Sequence, residues 1–472
     1  MPVIDVYRYR YKKFFTVFAL FHTPNLRHLQ DYALGRDMKK EKVIIMGAGG
    51  RDFHNFNMVY RSDRRSEVVA FTAAQIPFIE KRTYPPGLAG PNYPSGIPIY
   101  PEKELASLIV SQGANRVVFA YSDVSHENLM HSASLCLSLD ADFMLLGPER
   151  TMLESKVPVI SVCAVRTGCG KSIITKKLAH TFKEKGVKVS VIRHPMAYCD
   201  FATVKKFSSI EDIDRGACTI EEREEFEPLV EKGVTVYAGV DYEKVLEQAE
   251  RFSQVIIWDG GNNDFPFVRP DFEVVLLDAM RPGHERLFYP GEVNLRRGDL
   301  LIITKINEAE EGALELVKSD ISRDNPEAGV LETRSVFTVG DYDVISGKRA
   351  LIIEDGPTIT HGGMPYGAGV SSSIRIVSEF VDPRPYAKGS IRDIYVKFPH
   401  IGPVLPAMGY SEDQMKELEE TISAVPCEVV IVATPVDLRR IINIGKPTVR
   451  VSYDFDIDLT ELVEAFLKEH VL

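Results

Sequence analysis

A short glycine-containing turn between an apolar segment and a helix-forming segment carries the chemistry that is easiest to infer in this chain. The apolar run 157–165 is followed by Thr167, Gly168, Cys169, Gly170, Lys171 and Ser172. In a turn of this kind, backbone N–H groups at a helix N-terminus bind phosphate oxygens, and the lysine reaches the β- and γ-phosphates. The complete pattern begins with a glycine where this chain has Val165. We nevertheless predict a nucleotide-binding phosphate loop, with an ordinary solvent-exposed turn as the alternative.

An aspartate that follows another apolar run is the predicted metal ligand. Residues 255–258 form the run, and Asp259, Gly260 and Gly261 come directly after it. A carboxylate at the end of a parallel strand can hold Mg²⁺ beside the phosphates, together with the hydroxyl of the phosphate-loop serine. We therefore predict Mg²⁺ as cofactor, with Ser172 and Asp259 as its ligands. The alternative for Asp259 is a helix N-cap or a turn residue.

The segment after the apolar run 300–303 has residues that could contact the base of the nucleotide. It contains Thr304, Lys305 and Asn307. In phosphate-loop proteins the stem of this lysine packs on the ring, and the polar residue two positions later bonds the edge of the base. An aspartate there would favour guanine, whereas Asn307 carries no such preference. We therefore predict ATP as co-substrate, with Lys305 and Asn307 in the nucleotide site; a solvent-facing strand end is the alternative.

Cationic side chains after the run 274–277 are candidates for contacts with anionic groups. Arg281, His284 and Arg286 follow this run. Arginine forks match phosphate oxygens with two hydrogen bonds, and clustered cations in an acidic protein favour a polyanionic ligand. We predict Arg281 and His284 as catalytic residues, and all three side chains as ligands of a phosphorylated substrate. The alternative for about half of them is ordinary solvation at the surface.

A glycine-rich turn after the first apolar run suggests a second anion site. The turn 47–50 is followed by Arg51, Asp52, His54 and Asn55. It resembles a dinucleotide fingerprint, but its sixth position is an aspartate and no ribose-binding acid follows the next run. We therefore expect no NAD, and predict that Arg51, His54 and Asn55 bind the phosphorylated substrate.

The composition argues against several function classes. The chain has 472 residues, 44% of them hydrophobic, and a formal net charge of −11, which argues against nucleic acid as the main partner. No apolar run reaches membrane-spanning length, so we expect no membrane partner. The six cysteines form no Cys-x-x-Cys pair and are expected to be reduced, as in the cytoplasm. The share of charged residues, 26%, leans towards a thermophile.

Apolar runs of strand length alternate with helix-like stretches along most of the chain. This alternation predicts an α/β protein with parallel sheets that bind ligands at their carboxyl-terminal edges. We predict a Rossmann-like parallel-sheet domain in residues 38–153, and a phosphate-loop NTPase core with a carboxyl-terminal α/β section in residues 154–472. Residues 1–37 are expected to be an extension outside the fold. The glycine-rich segment 361–369 is either a further anion-binding loop or a flexible one.

These features together resemble the archaeal cyclic 2,3-diphosphoglycerate synthetases. The resemblance covers residues 38–472 and is carried by the segments 47–57, 167–172, 219–225, 258–264 and 281–286. It implies a dethiobiotin-synthetase-like phosphate-loop core in a homodimeric cytoplasmic enzyme. It also implies an ATP-dependent ligase that forms a phosphoanhydride between the two phosphates of 2,3-diphosphoglycerate and releases ADP and phosphate.

That chemistry needs positioned charges rather than a protein nucleophile. ATP would phosphorylate one phosphate of the substrate, and the neighbouring phosphate would displace inorganic phosphate to close the ring. Lys171, Asp259, Arg281 and His284 are the predicted catalytic residues. The alternative is a GTP- or ATP-driven switch or metal-insertion chaperone on the same core, which would need cysteine or histidine pairs and a guanine-selective aspartate.

Overall fold

The computed structural model describes residues 40–74, 82–194, 203–216, 218–261, 264–408, 411–435 and 437–471. The predicted extension 1–37 lies outside these residues. Within them the chain forms three large sheets in which most neighbouring strands are parallel, connected by helices. This confirms the predicted α/β class with parallel sheets. No helix in these ranges is long and apolar enough to cross a membrane.

The first part of the described chain contains strands β1 (Glu41–Met46), β2 (Ser66–Ala73), β3 (Thr83–Tyr84), β4 (Ile97–Pro101), β5 (Arg116–Phe119), β6 (Val124–Ser125) and β7 (Asp142–Met144). The sheet order is β3-β4-β2-β1-β5-β7, and only the edge pair β3 and β4 is antiparallel. The helices are Arg51–Asn55, Pro86–Ala89, Leu105–Gln112 and His126–Ser138, and the first continues as the π-helix Phe56–Tyr60. Strand β1 is central and almost fully buried from Val43 onward, which explains its continuous apolar run.

The second part contains β8 (Val159–Ala164), β9 (Val189–Arg193), β10 (Lys205–Phe207), β11 (Thr235–Ala238), β12 (Val255–Gly260), β13 (Phe272–Asp278), β14 (Phe288–Tyr289), β15 (Leu300–Thr304) and β16 (Gly329–Glu332). The sheet order is β10-β11-β9-β12-β8-β13-β15-β16, with an antiparallel edge pair β10 and β11. The helices are Lys171–Glu184, Ile210–Arg215, Ile220–Val230, Tyr242–Glu250, His284–Leu287, Gly291–Arg297 and Ala313–Asp324. Strand β8 lies between β12 and β13, so the loop that follows it emerges near the middle of the sheet.

The third part contains β17 (Ser335–Val339), β18 (Arg349–Glu354), β19 (Glu379–Phe380), β20 (Leu405–Pro406), β21 (Val429–Ala433) and β22 (Thr448–Phe455). The sheet order is β17-β22-β21-β18-β19; β20 also pairs with β18, and β17 is antiparallel to β22. The helices are Tyr342–Ile345, Gly356–Ile359, Ala368–Ser373, Gly389–Lys397, Glu412–Ala424 and Thr460–His470. The last helix returns to the second part, where the Phe466 and Phe182 rings pack edge to face with centroids 5.9 Å apart.

The main strands lie where the apolar runs predicted them, and the differences concern short edge strands. The sequence analysis does not anticipate β3, β10 or β17, each of which forms an antiparallel edge pair. Edge strands carry fewer buried residues than central strands, so their apolar runs are short or interrupted. A further two-stranded pair, β6 with β14, joins the first part to the second through Ser125 and Phe288.

Candidate active site

A cavity of about 530 Å³ lies where the carboxyl-terminal ends of strands from all three sheets meet. The turn after β1, the loop after β8 and the end of β18 each contribute to its wall. Parallel sheets collect loops and helix N-termini at this edge, so the position is the one expected for a ligand. The whole predicted phosphate loop, residues 167–172, lines the cavity.

The phosphate loop has the backbone conformation of an open anion site. Gly168 and Gly170 have positive φ angles of 84° and 98°, and the helix Lys171–Glu184 begins directly after them. The backbone N–H groups of residues 168–172 have no hydrogen-bond acceptor in the parts of the chain that the structure describes. A Cβ on Gly170 would lie 2.3 Å from the Phe455 ring, so this position requires glycine. The loop therefore offers open donors at a helix N-terminus, as phosphate binding requires.

Val165 stands where the complete sequence pattern has glycine, and the structure shows why valine is tolerated. Its N–H donates to the backbone oxygen of Leu276 at 3.0 Å, which extends the pairing of β8 with β13 by one residue. Val165 is buried and does not have a positive φ angle. Glycine is needed only where the backbone turns, at Gly168 and Gly170.

Lys171 and Asp259 lie together beside this loop. Lys171 Nζ donates a hydrogen bond to the backbone oxygen of Asp259 at 2.9 Å and lies 3.7 Å from the carboxylate oxygen Oδ1. The Asp259 side chain is fully buried, and neither carboxylate oxygen accepts a hydrogen bond from the described residues. Its charge is compensated by Arg193, whose Nη1 is 3.1 Å from Oδ2. The predicted metal ligand thus has unused acceptor capacity close to Lys171; Ser172 lines the cavity, whereas Asp259 does not.

The two predicted base-contacting residues have other partners. Asn307 exchanges two hydrogen bonds with the backbone of Ser335, with its Nδ2 donating at 3.0 Å and its Oδ1 accepting at 2.8 Å. Lys305 has a φ angle of 61° and its Nζ donates to the backbone oxygen of Gly168 at 2.6 Å and to Asp278 at 2.9 Å. Lys305 lines the cavity, whereas Asn307 does not. The prediction that Asn307 reads the base edge is therefore corrected, because its amide already binds the start of β17.

The Arg281 guanidinium is paired within the protein and is not a free cation. Its Nε donates to Asp278 at 2.9 Å, and its two terminal nitrogens donate to backbone oxygens of Gly362 at 2.6 Å and Thr167 at 2.8 Å. Burial would raise the pKa of Asp278, but the charges of Lys305 and Arg281 outweigh burial and lower that pKa to about 2. Arg281 thereby joins the phosphate loop to the glycine-rich segment of the third part.

The other two residues of the predicted cation cluster are not charged groups facing the cavity. His284 Nδ1 lies 2.7 Å from Arg166 Nη1, and burial followed by the Arg166 charge lowers the pKa of His284 to about 4. Its imidazole is therefore neutral at pH 7. Arg286 pairs with Asp324 at 2.7 Å and is 39% exposed, outside the cavity lining. The predicted role of Arg286 in substrate binding is corrected accordingly.

The glycine turn after β1 is already filled by the chain's own carboxylate. Asp52 accepts hydrogen bonds from the backbone N–H groups of Gly49 at 2.7 Å, Gly50 at 3.2 Å and Phe53 at 2.7 Å. Burial raises the pKa of Asp52 to about 6 against the opposing effect of these bonds. The donors that would bind an external anion are occupied, so this turn does not form the predicted phosphate site.

The predicted substrate ligands near this turn are buried between the first two sheets. Arg51 is 2% exposed; it forms a close ion pair with Asp264 and donates to Tyr289 Oη at 3.1 Å. His54 Nε2 bonds the backbone oxygen of Thr151 at 2.6 Å, and burial lowers the pKa of His54 to about 3. Neither His54 nor Asn55 lines the cavity, which corrects their assignment; Arg51 lines it but is already paired.

The glycine-rich segment 361–369 repeats this arrangement at the end of β18. The Glu354 carboxylate accepts hydrogen bonds from the backbone N–H groups of Gly367, Gly369 and Val370, each at 3.0 Å. Burial raises the pKa of Glu354 to about 7 despite these three bonds. In place of the two alternatives left open for this segment, the structure shows a loop that surrounds an internal carboxyl group.

Several residues that the sequence did not single out form an acidic wall in the cavity that the phosphate loop also lines. The run 221–227 has the composition of a solvated helix face, yet Glu224 is only 4% exposed. The carboxyl groups of Glu224 and Asp355 interact directly, and burial raises the pKa of Asp355. Glu225 lies near Arg193, with Oε1 3.2 Å from Nη2, and burial raises its pKa as well. The missed signal is the Thr-x-x-Glu capping box at Thr219, which fixes this helix at its start.

Arg166 and Asp123 are a second missed pair, and they connect all three parts of the molecule. Arg166 Nε donates to Asp123 Oδ1 at 2.5 Å, and its guanidinium lies 3.5 Å from the centre of the Phe288 ring. A terminal nitrogen lies within 3.4 Å of the backbone oxygens of His361 and Gly362. These partners come from segments far apart in the sequence, so no local motif predicts the contacts.

No group of three or more His, Cys, Asp or Glu side chains among the described residues is arranged to bind a metal by itself. A magnesium ion bound to a nucleotide needs fewer protein ligands, because it keeps several waters and takes oxygens from the phosphates. The buried carboxylate of Asp259, whose oxygens accept no hydrogen bond from the described residues and which lies near Lys171, fits that kind of site.

The fold places an open, glycine-containing loop at a cavity where parallel strands end, as in a nucleotide-binding α/β enzyme. A curated relative, the arginine synthetase ArcE of Thermococcus kodakarensis, is 53% identical over 436 residues, which are 92% of this chain and 96% of the relative. This chain belongs to the family of that protein. The relative is a named synthetase, so the prediction of an ATP-dependent ligase is confirmed. Its name differs from the cyclic 2,3-diphosphoglycerate synthetases that the sequence resembles.

Solved structures give weaker likenesses. LpxK from Aquifex aeolicus, determined in complex with ATP, covers 77% of this chain and 99% of its own, with 13% identity and a TM-score of 0.40. The hydrogenase maturation factor HypB from Archaeoglobus fulgidus covers 37% of this chain and 80% of its own, with 14% identity and a TM-score of 0.25. Scores this low support no conclusion about this chain. No protein-family model matches it.

Proposed function

We propose that this protein is an ATP-dependent arginine synthetase, which converts a ureido amino acid and ammonia into arginine. The proposal rests on the 53% identity to the arginine synthetase of Thermococcus kodakarensis over nearly the full length of both chains. The observation in the structure that supports it best is the acidic wall, which suits a cationic product better than a polyanionic one.

Cationic and anionic groups line the cavity together. The N–H groups of the phosphate loop and Lys171 are suited to the triphosphate of ATP. The acidic wall is formed by the carboxyl groups of Glu224, Glu225 and Asp355, all in the cavity lining, and of these Glu225 pairs with Arg193. A carboxylate binds a guanidinium with two parallel hydrogen bonds. Arginine at this wall would also offset the cost of burying Glu225 and Asp355, whose pKa values burial raises.

The cations that a bis-phosphorylated acceptor would need are already neutralised. Arg51 pairs with Asp264, Arg281 with Asp278, and Arg193 with Asp259. Binding 2,3-diphosphoglycerate through these groups would require the internal pairs to break, which leaves buried carboxylates unpaired. The formation of cyclic 2,3-diphosphoglycerate therefore remains a competing hypothesis that the same assay can test.

The proposed reaction has two steps that balance without a protein nucleophile. The ureido oxygen attacks the γ-phosphorus of ATP, and ADP leaves with the electron pair of the broken P–O bond. Ammonia then attacks the activated carbon and loses a proton, and phosphate leaves with the C–O electron pair, which yields the guanidinium group. Lys171 stabilises charge on the transferring phosphoryl group, while the carboxylates of the acidic wall hold the developing guanidinium.

Magnesium fits beside the phosphate loop, with Ser172 and Asp259 as the residues that would hold it. When bound there, Mg²⁺ neutralises charge on the phosphate oxygens of ATP. Asp259 is suited to this because it is buried at the end of β12 and neither oxygen accepts a hydrogen bond from the described residues, although Arg193 pairs with Oδ2. Lys171 Nζ, which donates to the Asp259 backbone oxygen and lies 3.7 Å from Oδ1, adds positive charge beside this carboxylate.

The decisive test compares two acceptors with the purified full chain, ATP and Mg²⁺. One reaction contains L-citrulline, the ureido acid with the carbon skeleton of arginine, together with ammonium chloride; the other contains 2,3-diphosphoglycerate. We expect arginine and ADP in the first, measured by chromatography, and no new phosphorus NMR signal in the second. Cyclic 2,3-diphosphoglycerate without arginine would reverse the assignment.

Variants of the acidic wall locate the acceptor. We expect Glu224→Gln and Asp355→Asn to raise the KM for the ureido acid by roughly tenfold or more, because each removes a charge-assisted contact, while the KM for ATP changes little. Glu247→Gln, at an exposed position of the helix Tyr242–Glu250, is the matched control. An equal rise in the KM for ATP would place the acceptor elsewhere.

The remaining predictions stay as proposals beside this one. We propose a homodimer that works in the cytoplasm, and a division into a Rossmann-like domain (38–153) and a phosphate-loop core with its carboxyl-terminal section (154–472). Light scattering of the purified chain tests the dimer, and limited proteolysis tests the boundary near residue 153.

A further inference from the structure

We infer that the base of the nucleotide stacks on an aromatic surface of the third sheet, formed by Phe337 and Tyr453. The inference goes beyond the acceptor chemistry but rests on the proposed use of ATP. It assigns base recognition to the carboxyl-terminal sheet, where the sequence analysis placed it on the loop after β15.

The two rings lie side by side on one face of neighbouring strands. Phe337 in β17 and Tyr453 in β22 are directly opposite in the antiparallel pairing, which puts their side chains on the same face. Their ring centroids are 6.4 Å apart and the planes are inclined by 32°. Both residues line the cavity, so at least part of each ring faces the space into which a ligand would enter.

This aromatic face leads directly to the phosphate loop. Phe455 is two residues after Tyr453, hence on the same face of β22, and the two ring centroids are 6.0 Å apart. The Phe455 ring lies so close to Gly170 that a Cβ there would be 2.3 Å away. A nucleotide whose phosphates occupy residues 168–172 therefore has the Tyr453 and Phe337 rings within reach of its base.

The hydrogen bonds of Asn307 support this placement instead of competing with it. Asn307 bonds both backbone groups of Ser335, the first residue of β17, and so fixes this strand beside the loop that follows β15. Two residues later in β17 comes Phe337. Lys305 and Glu308 from the same loop line the adjacent part of the cavity, where their charges could meet the ribose or the edge of the base.

Stacking is the interaction that such a surface provides. Any purine presents a flat face to an aromatic ring, so stacking adds affinity without strong selection between bases. The alternative occupant of the same rings is the aliphatic part of the amino acid. In that case alanine substitutions of the rings would leave the affinity for ADP unchanged.

The experiment compares ligands that share phosphates but differ in the base. Isothermal titration measures binding of ADP and of inorganic tripolyphosphate to the wild-type protein and to Phe337→Ala and Tyr453→Ala. We expect each substitution to raise the dissociation constant of ADP by roughly ten- to hundredfold. The dissociation constant of tripolyphosphate should change by less than about twofold. Tyr342→Ala, at an aromatic residue that is 53% exposed, is the control and should change neither.

Two further variants keep the result interpretable. Phe337→Leu and Tyr453→Phe retain most of the side-chain volume. Because only the aromatic ring is needed for stacking, we expect Phe337→Leu to lower the affinity for ADP and Tyr453→Phe to leave it unchanged. Unchanged ADP affinity in both alanine variants overturns the inference, as does an equal loss of tripolyphosphate, which would show that the rings only support the loop. If the wild-type protein binds neither ligand, the proposed ATP dependence fails as well.

Discussion

Two glycine-rich turns of this molecule look alike in sequence and behave differently in the structure. The turn after β1 and the loop after β8 both follow a buried parallel strand and both precede a helix. In the first, the Asp52 carboxylate accepts the N–H groups of Gly49, Gly50 and Phe53. In the second, the N–H groups of residues 168–172 have no acceptor in the described parts of the chain.

The difference shows that a glycine-rich turn exposes backbone N–H groups but does not determine which acceptor they bind. A left-handed or strained turn exposes backbone N–H groups, and buried donors must find an acceptor. Where the chain places a carboxylate next to the turn, the acceptor is internal and the turn is structural. The segment 361–369, which surrounds Glu354, follows the same rule. Of these three turns in the described part of the chain, the one that contains Lys171 and bonds Lys305 is open to an external anion.

The largest expected effect comes from removing the cation of the open loop. Lys171→Ala should lower the rate of ATP turnover by about a thousandfold, because it removes charge stabilisation from the transferring phosphoryl group. Lys183→Ala, near the other end of the same helix, is the matched control and should retain activity. The measurement is steady-state release of ADP. Near-normal turnover in Lys171→Ala would mean that this loop is not the nucleotide site.

Removing the carboxylate from the turn after β1 should lower the stability of the protein and leave phosphate binding by the loop after β8 unchanged. Asp52→Ala leaves the donors of Gly49 and Phe53 buried without an acceptor, so the free energy of unfolding should fall by about 2–4 kcal/mol. Chemical denaturation measures this value, and binding of tripolyphosphate serves as the control for the intact phosphate loop. A variant that loses no stability would show that the turn does not depend on its internal carboxylate.

The pH dependence of stability tests the second internal carboxylate. The pKa of Glu354 is raised by burial from 4.5 to about 7, so the folded state prefers the protonated form. This contribution to stability is fully present below pH 4.5 and is lost as the pH rises towards 7. Position 354 cannot titrate in Glu354→Gln. Between pH 4.5 and 7 we therefore expect the free energy of unfolding of the wild type to fall by about 1–3 kcal/mol relative to that of this variant. The measurement is denaturation at pH 4.5, 6 and 7.5; a constant difference between the two proteins would contradict it.

Local patterns were enough to predict the central strands and the open loop. The runs that became β8, β12 and β15 are continuously apolar because both faces of the sheet are covered. The phosphate loop and Asp259 follow such runs directly. The structure places the loop in the cavity lining and Asp259 in a fully buried position, with Oδ1 3.7 Å from Lys171 Nζ. Their assigned roles in catalysis and metal binding stay predictions that the variants above test.

What sequence reasoning could not supply is the identity of long-range partners. Arg281 reads as a free cation next to a strand end, but its bonds reach Thr167 and Gly362, far away in the chain. The acidic run that includes Glu224 has the composition of a solvated helix face, because nothing local shows that Asp355, directly after β18, interacts with Glu224. A charged residue near a strand end is equally suited to a ligand and to a neighbouring segment, and only the tertiary fold distinguishes the two cases.

The smallest expected effect concerns Asn307, where sequence and structure give opposite predictions. If this residue read the edge of the base, Asn307→Asp would shift the preference from ATP towards GTP. The structure instead shows its Nδ2 donating to the Ser335 backbone oxygen, a bond that aspartate cannot make. We expect stability to fall by about 1 kcal/mol, because one hydrogen bond is lost and two oxygens face each other. The ratio of kcat/KM for ATP and GTP should change by less than about threefold, since the aromatic surface does not select strongly between purines. A clear gain of GTP use would return base recognition to the loop after β15 and count against the role of Phe337 and Tyr453.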